Sequence, residues 1–266
     1  MLNAVRQRLN ARSAALLLTL EGGLPRLMAG WLVLIAVACG LRVMTSPLTG
    51  GPAPTTLIAY LLLAVAPIGS MLMALRWFAH GERLGHPKRF IDRRGYRAIG
   101  LVAARRHRLY GPGGIMVSLL IGLLASVALR AAEYFAALPA LSGQVPEWLS
   151  ILQLVMTLDV VIFSSLYAIA FVAALRKVPL FPRLLALIWA ADLAMQLGIA
   201  QAVAGQADLP ANVAIALHRL LDGNVMKVLV SIALWLPYLL LSKRVNLTYR
   251  HRLPRCAARQ ASPKKS

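Results

Sequence analysis

Acidic residues are scarce in this chain. Only 9 of its 266 residues are Asp or Glu, against 29 Lys and Arg, which gives a formal net charge of +20. In a soluble protein such an excess would suggest nucleic-acid binding. Here the basic residues lie beside long apolar runs, so we interpret them as membrane-proximal charge and expect no nucleic-acid partner.

Cysteine and catalytic side-chain sets are also lacking. Cys39 lies in an apolar run and Cys256 in a basic tail, so one is placed in lipid, the other in a reducing compartment, and no disulfide is expected. The sequence contains no paired-histidine helix, cysteine cluster, phosphate-binding glycine loop or nucleophile elbow. We therefore predict no catalytic residues, no metal and no cofactor, which makes an enzyme the least favoured class. The histidines stand alone in polar segments: His80, His86, His107, His218 and His251.

Apolar residues, by contrast, are abundant. They make up 59% of the chain, well above the ~45–50% of a soluble domain, and the mean hydropathy is +0.68. Runs of about 20 apolar residues suffice to cross a ~30 Å hydrocarbon core. Six such runs are predicted: Met28–Ser46, Leu57–Trp77, Gly114–Leu129, Ser150–Leu175, Leu184–Ala204 and Val225–Ser242.

The basic residues alternate along these spans. Of the 29 Lys and Arg residues, 25 fall in four of the seven polar segments, and the segments between them hold almost none. Cytoplasmic segments carry the excess of positive charge. The pattern predicts an all-α, polytopic membrane helix bundle with six transmembrane helices and both termini in the cytoplasm. Its expected location is a bacterial inner membrane, with anionic phospholipid headgroups as partners on the cytoplasmic side.

Three finer features are predicted from local patterns. Tyr96–Arg108 could form a basic amphipathic helix on anionic headgroups, but the favoured interpretation of this basic loop is a topology anchor alone, because the positive-inside bias needs no ligand. Ala211–Leu221, after Pro210, is predicted as a helix lying on the outer surface. Small residues recur at every fourth position in the third span, which predicts a close helix contact there; they are Gly114, Ser118, Gly122 and Ser126.

The end of the last span resembles a known family. Its signature consists of Trp235, Pro237, Tyr238, Ser242, Lys243, Arg244 and Val245. These residues resemble the closing signature of a bacterial membrane family, the domain of unknown function 2569, whose members usually have four spans. Gly111–Gly114 and Arg176–Arg183 resemble its opening and its middle turn, although Ile115 stands where the family usually has Trp.

This resemblance covers about residues 111–249 and implies a membrane domain without implying any chemistry. Gly30-Trp31 fits the family opening too, so spans one and two could be a partial duplicate. We accordingly divide the chain into a two-span segment with a basic loop (1–110), a four-span family-like domain (111–250) and a basic tail (251–266).

Ionisable residues inside the spans are the first candidate site. Each costs about 2.5–3.5 kcal/mol at a helix centre unless it has a partner, so such residues are candidates for function. We expect Asp159 to pair with Arg42, Arg130 or Lys227 in the outer half. Asp192, with Gln196 one turn later, is expected to be more central, without an ionic partner and in its neutral form. The group could be a structural ion pair with helix-joining hydrogen bonds, or it could relay protons.

A polar and aromatic stripe in span six is the second candidate. Lys227, Ser231, Trp235, Tyr238 and Ser242 fall within about 80° of one helical face. The stripe could line a ligand groove, or it could be packing with Lys227 reaching outer headgroups. The predicted role is a non-enzymatic module that associates with lipid, a ligand or another membrane protein. The alternative is a small transporter or proton-coupled carrier that uses Asp192 and Asp159.

Overall fold

The computed structural model describes residues 13, 15–47, 50–84, 96–143, 145–204 and 210–254. Within these ranges the regular structure is helical apart from two short strands. Residues 15–22 form a helical segment that leads into the first long helix. Cys256 and most of the predicted basic tail lie outside the described residues.

Six of the described helices are long and apolar enough to cross a membrane. Each overlaps one predicted span, and most extend it by a few residues at one end. This agreement confirms the predicted all-α fold and the number of candidate spans. The six helices are α1 (Leu24–Thr45), α2 (Pro54–Trp77), α4 (Ile115–Ala137), α5 (Glu147–Leu175), α6 (Phe181–Ala204) and α7 (Ala211–Leu241).

Contacts between connecting segments show that successive helices run up and down. At one end, the Ala53 amide donates to the Leu141 carbonyl (2.8 Å) and the Ala140 amide donates to Ser46 Oγ (2.8 Å). At the other end, Gly81 lies against the turn between α5 and α6, and the Gly111 amide donates to Thr248 Oγ1 (3.1 Å). We name this second end, to which Arg105, Lys177 and Arg244 belong, the basic end, and the first the opposite end.

Helix α5 is the centre of the bundle. In its most apolar window 67% of the residues are buried, against 6% for α1 and 17% for α7. Helices α2, α4 and α6 pack directly on it. The core therefore combines the first two spans with the last four. Both faces of α5 are covered: Gln153, Thr157 and Ser164 are buried on one side and Asp159 on another.

The small-residue stripe of the third span does not form the predicted contact. Ser118 is exposed, and a Cβ added to Gly122 would meet no atom within 4 Å. The buried face of α4 instead carries large side chains, among them Leu120, Leu123 and Val127. Small size alone was a misleading signal, because the large apolar side chains on the neighbouring face pack more area against α5.

The predicted surface helix Ala211–Leu221 is also wrong as a separate element. It is the first third of α7, which continues without a break to Leu241. Gly223 and Asn224 are residue types that often end a helix, but no proline follows them and α7 continues through both. Pro237 lies inside α7, as expected for span six.

A small subdomain closes the basic end. Strand β1 (Tyr96–Ala98) pairs antiparallel with β2 (Arg252–Pro254), and the helices α3 (Gly100–Arg106) and α8 (Lys243–Arg250) pack beside them. The predicted helix Tyr96–Arg108 is thus a strand followed by a shorter helix. Leu247 and Leu253 are buried against Ala104.

Helix α8 ties this subdomain to the bundle. Tyr249 is buried, packs on Phe181 and donates from Oη to the Ala174 carbonyl (2.8 Å). Burial raises the pKa of Tyr249 well above its usual value of 10.0, so this hydroxyl stays a donor at neutral pH.

Candidate functional site

An ion cluster joins three helices inside the bundle. Arg130 of α4 donates from Nη1 to Asp159 Oδ2 of α5 (2.6 Å). Its Nη2 forms hydrogen bonds with both carboxylate oxygens of Asp192 on α6. The exposed fractions of Arg130, Asp159 and Asp192 are 9%, 4% and 0%. One guanidinium therefore holds two buried carboxylates away from solvent.

Neutral donors complete the cluster. Tyr167 donates from Oη to Asp192 Oδ2 (2.8 Å), and Gln196 Nε2 donates to Asp159 Oδ1 (3.1 Å) and Asp192 Oδ1 (3.5 Å). The guanidinium carbon of Arg130 also lies 4.8 Å from the centre of the Phe163 ring. Each carboxylate thus accepts hydrogen bonds from at least two side chains, which offsets part of the cost of its burial.

The helical periodicity of the sequence turns these residues inward. Arg130 follows Leu123 and Val127 on the buried face of α4, and Asp192 follows Leu185 and Ile188 on the buried face of α6. At ~1.5 Å per residue, Asp192 lies roughly 16 Å from the start of α6, and Arg130 roughly 22 Å from the start of α4. Both positions are well inside the apolar length of the helices.

A polar chain leads from the cluster to the surface of α7. Asn224 Nδ2 donates to Gln196 Oε1 (3.4 Å), and Lys227 Nζ donates to Asn224 Oδ1 (3.2 Å). Lys227 also forms an ion pair with Glu133 of α4. Its side chain is 55% exposed, so the chain of contacts begins at the edge of the bundle and ends at Asp159.

Of the three predicted partners of Asp159, the structure selects Arg130. Arg42 donates from Nε to the Leu138 carbonyl (2.7 Å), and Lys227 pairs with Glu133 instead. Asp192 is not the isolated carboxylate that we expected, because Arg130 reaches it as well. Counting residues along each helix predicted that Asp192 lies closer to the middle of the bundle than Asp159. Such a count does not show that one long arginine side chain can reach both depths.

Sequence reasoning missed three contributors: Tyr167, Glu133 and Asn224. Tyr167 lies in the middle of span four, where a hydroxyl needs a buried acceptor, and that signal was available. Glu133 lies one turn after Arg130 in α4, beyond the predicted end of the third span at Leu129. Asn224 lies in α7, just before the predicted start of span six at Val225.

The stripe of span six is half-buried packing along most of its length. Trp235 and Tyr238 pack against the bundle core, with their rings edge to face at 6.0 Å. Ser231 donates to the Lys227 carbonyl one turn earlier (2.8 Å). These contacts bring Trp235 and Tyr238 together, but they do not join them to the ion cluster. Ser242 lies between α7 and α8, where its carbonyl accepts from Asn246 Nδ2 (2.9 Å).

A second polar feature lies at the basic end. A cavity of about 490 Å³ opens between the loop after α2, α3 and the turn between α5 and α6. Glu82 binds Arg105 (2.6 Å) and Lys177 (2.7 Å) at its wall. Partial burial opposes ionisation of Glu82, but its hydrogen bonds to these two cations outweigh that effect and lower its pKa below 4.5.

Metal-binding sets are not found in the part of the chain that the structure describes. No group of three or more His, Cys, Asp or Glu side chains is close enough there to hold an ion. In the ion cluster, the two carboxylates are occupied by Arg130, Tyr167 and Gln196.

No family model, curated protein or solved structure matches the chain. The resemblance to the domain of unknown function 2569 therefore gains no support from these comparisons and stays a prediction. Any functional conclusion has to be based on the geometry of the helices, the ion cluster and the cavity.

Proposed function

We propose that this chain is an integral protein of a bacterial inner membrane that associates with lipid, a small ligand or another membrane protein and catalyses no reaction. The basic end and both termini face the cytoplasm in this proposal. Six apolar helices and the grouping of Arg105, Lys177 and Arg244 at one end support it. Membership of the resembled family over residues 111–249 is part of the same proposal.

The closed ion cluster is the observation that favours an association module over a carrier. A carrier must open its binding groups to water on each side in turn. Asp192 is fully buried, and Arg130 engages it together with Asp159. None of the residues that line the basic-end cavity belongs to the cluster. Such an arrangement is suited to holding α4, α5 and α6 in one register.

A proton-coupled carrier is the second candidate, and two observations favour it. The cluster contains two carboxylates and one guanidinium, so its formal charges do not cancel. The contacts from Gln196 through Asn224 to Lys227 also lead from the cluster to an exposed side chain at the edge of the bundle. This candidate requires that the cluster exchange a proton with water during function.

Proton movement in proteoliposomes separates the two candidates. The full-length protein is reconstituted in phosphatidylethanolamine and phosphatidylglycerol vesicles that contain a pH-sensitive dye, and a pH gradient is imposed. The association module predicts the same dye response as protein-free vesicles, for the wild type and for Asp192→Asn. A gradient-driven response in the wild type that Asp192→Asn abolishes would reject our proposal and establish the carrier.

The proposed orientation is tested by thiol labelling in intact cells. Cys39 and Cys256 are first replaced by serine, and single cysteines are then introduced at Gly51 and Arg108. A membrane-impermeant maleimide should label Gly51→Cys from outside and leave Arg108→Cys unlabelled until the cells are opened. Labelling of both positions from outside would contradict the orientation and the helix count together.

A further inference from the structure

Specific contacts between three segments form the cavity at the basic end. Gly81 packs so closely on the turn between α5 and α6 that a Cβ there would lie 2.7 Å from Val178 Cγ2 and 2.8 Å from the Arg176 carbonyl oxygen. This close approach places the next residue, Glu82, between Arg105 of α3 and Lys177. Three separate segments are thereby joined around one space.

The backbone of Lys177 adds to this evidence. Lys177 has a φ of 55°, which is the left-handed region that non-glycine residues rarely adopt. From this conformation its ammonium group reaches Glu82 and also lies 5.2 Å from the centre of the Tyr110 ring. This conformation also caps the C-terminus of α5, where the Val178 amide donates to the Ala173 carbonyl (2.9 Å).

The charge of the cavity wall is strongly positive. Two carboxylates, Glu21 and Glu82, line it together with four cationic side chains, which leaves an excess of two positive charges. Glu82 is occupied by Arg105 and Lys177. Arg83 and Arg176 form no ion pair with any residue that the structure describes. These two guanidinium groups come from different loops and are exposed.

The cavity lies where the apolar helices end. Leu24, the first residue of α1, and Leu175, the last residue of α5, both line it. Trp77, the last residue of α2, is 63% exposed and precedes the cavity loop by two residues. Exposed tryptophans at helix ends are typical of the membrane interface, so the cavity is at the depth of lipid headgroups.

We propose that this cavity binds the phosphate group of an anionic lipid headgroup through Arg83 and Arg176. Guanidinium groups are well suited to phosphate oxygens because their N–H donors form paired hydrogen bonds. The apolar edge at Leu24 and Leu175 would contact the first part of the acyl chains. This proposal is based on the proposed association function and names the ligand class for it.

Lipid binding to the purified full-length protein tests the site. Phosphatidylglycerol is added to the protein in dodecyl maltoside micelles, and bound lipid is counted by native mass spectrometry. We expect Arg83→Gln and Arg176→Gln each to weaken the apparent affinity about fivefold, which is the contribution of one basic residue near an anionic headgroup. Arg108→Gln is the matched control, an exposed arginine of the same end outside the cavity, and should change affinity less than twofold.

Two further measurements test whether the site binds an anion and whether that anion is a lipid. Glu82→Gln removes a negative charge and frees two cations, so phosphatidylglycerol should bind at least as tightly as to the wild type; weaker binding would overturn an anion site. Inorganic phosphate at the same concentration should not displace the lipid. Displacement would identify the ligand as a soluble phosphate compound and would contradict the proposal that the ligand is a lipid.

Equal losses in Arg108→Gln and Arg176→Gln would show diffuse attraction to the whole basic end and would also overturn the proposal. The readout is independent of proton movement. A carrier activity that depends on Asp192 would reject the proposed association function. The binding measurements on Arg83→Gln and Arg176→Gln would still decide the lipid site separately.

Discussion

Replacing Arg130 by glutamine is the most direct test of the ion cluster. The change leaves Asp159 and Asp192 buried, with exposed fractions of 4% and 0%, and without their shared cation. Removing one partner of a buried ion pair costs about 3–5 kcal/mol, because the charge left behind is not compensated. We expect Arg130→Gln to lower the free energy of unfolding by this amount.

The carboxylate variants should cost less. Asp159→Asn leaves Arg130 paired with Asp192 and makes the formal charges of the cluster cancel. The free energy of unfolding then falls by the value of one charge-assisted hydrogen bond, about 1.5–3 kcal/mol. Part of this loss is recovered because the cluster no longer carries a net negative charge. The triple variant Arg130→Gln, Asp159→Asn, Asp192→Asn should be more stable than Arg130→Gln alone, since no buried charge remains.

Unfolding in mixed micelles of dodecyl maltoside and sodium dodecyl sulfate, followed by circular dichroism, measures these differences. Arg42→Gln is the matched control, because Arg42 donates only one described hydrogen bond, to the Leu138 carbonyl, and should cost about 1 kcal/mol. The reasoning fails if Arg130→Gln costs no more than Arg42→Gln, or if Asp159→Asn is the more damaging change.

Three further variants test the basic end. Gly81→Ala should destabilise the protein, because its methyl group would meet Val178 and a carbonyl at under 3.0 Å, and thermal unfolding measures the loss. Tyr249→Phe should cost about 0.5–1.5 kcal/mol, since it removes one hydrogen bond from the Ala174 carbonyl, which still accepts from the Lys177 amide (3.2 Å), and detergent unfolding measures it. Glu82→Gln should lower thermal stability at pH 7, and this difference should vanish as the pH falls below 4.5, because the lowered pKa of Glu82 stabilises the fold only while the carboxylate is ionised.

Each of these variants has a counterpart that should behave differently. Gly69→Ala places a methyl group where no atom lies within 4 Å, so it should not destabilise. Tyr60→Phe removes a buried hydroxyl that has no hydrogen-bond partner among the described residues, so its cost should be near zero. Glu147→Gln, at an exposed position without an ion pair to any described residue, should lower thermal stability at pH 7 by less than Glu82→Gln. Equal effects within any pair would contradict the assigned contact.

Helix existence could be predicted from the sequence, and helix neighbours could not. Span length and hydropathy determine that a segment such as Pro54–Trp77 is a helix, because backbone groups in an apolar medium must bond internally. Rotation about the helix axis is set by packing, which a single sequence does not display. The stripe that begins at Gly114 was therefore assigned to the wrong face, and the joint pairing of Arg130 with Asp159 and Asp192 was only half predicted.

Contacts between distant parts of the chain were the other limit. Strands of three residues show too little alternation of polar and apolar residues to be predicted, which applies to Tyr96–Ala98 and Arg252–Pro254. Each of the two strands also exists only as the partner of the other. The charge surplus at this end was plain from composition, but the arrangement around Glu82 depends on three loops that only the fold brings together.

The order of synthesis gives the ion cluster a consequence for assembly. A ribosome completes α4, with Arg130, before it has made either aspartate, so in a bilayer this helix would enter lipid with a cation that lacks its partners. Such an arginine costs about 2.5–3.5 kcal/mol at a helix centre. In a bilayer this cost would be offset only after α5 and α6 had emerged, which would couple stable insertion of the third span to translation of the fifth.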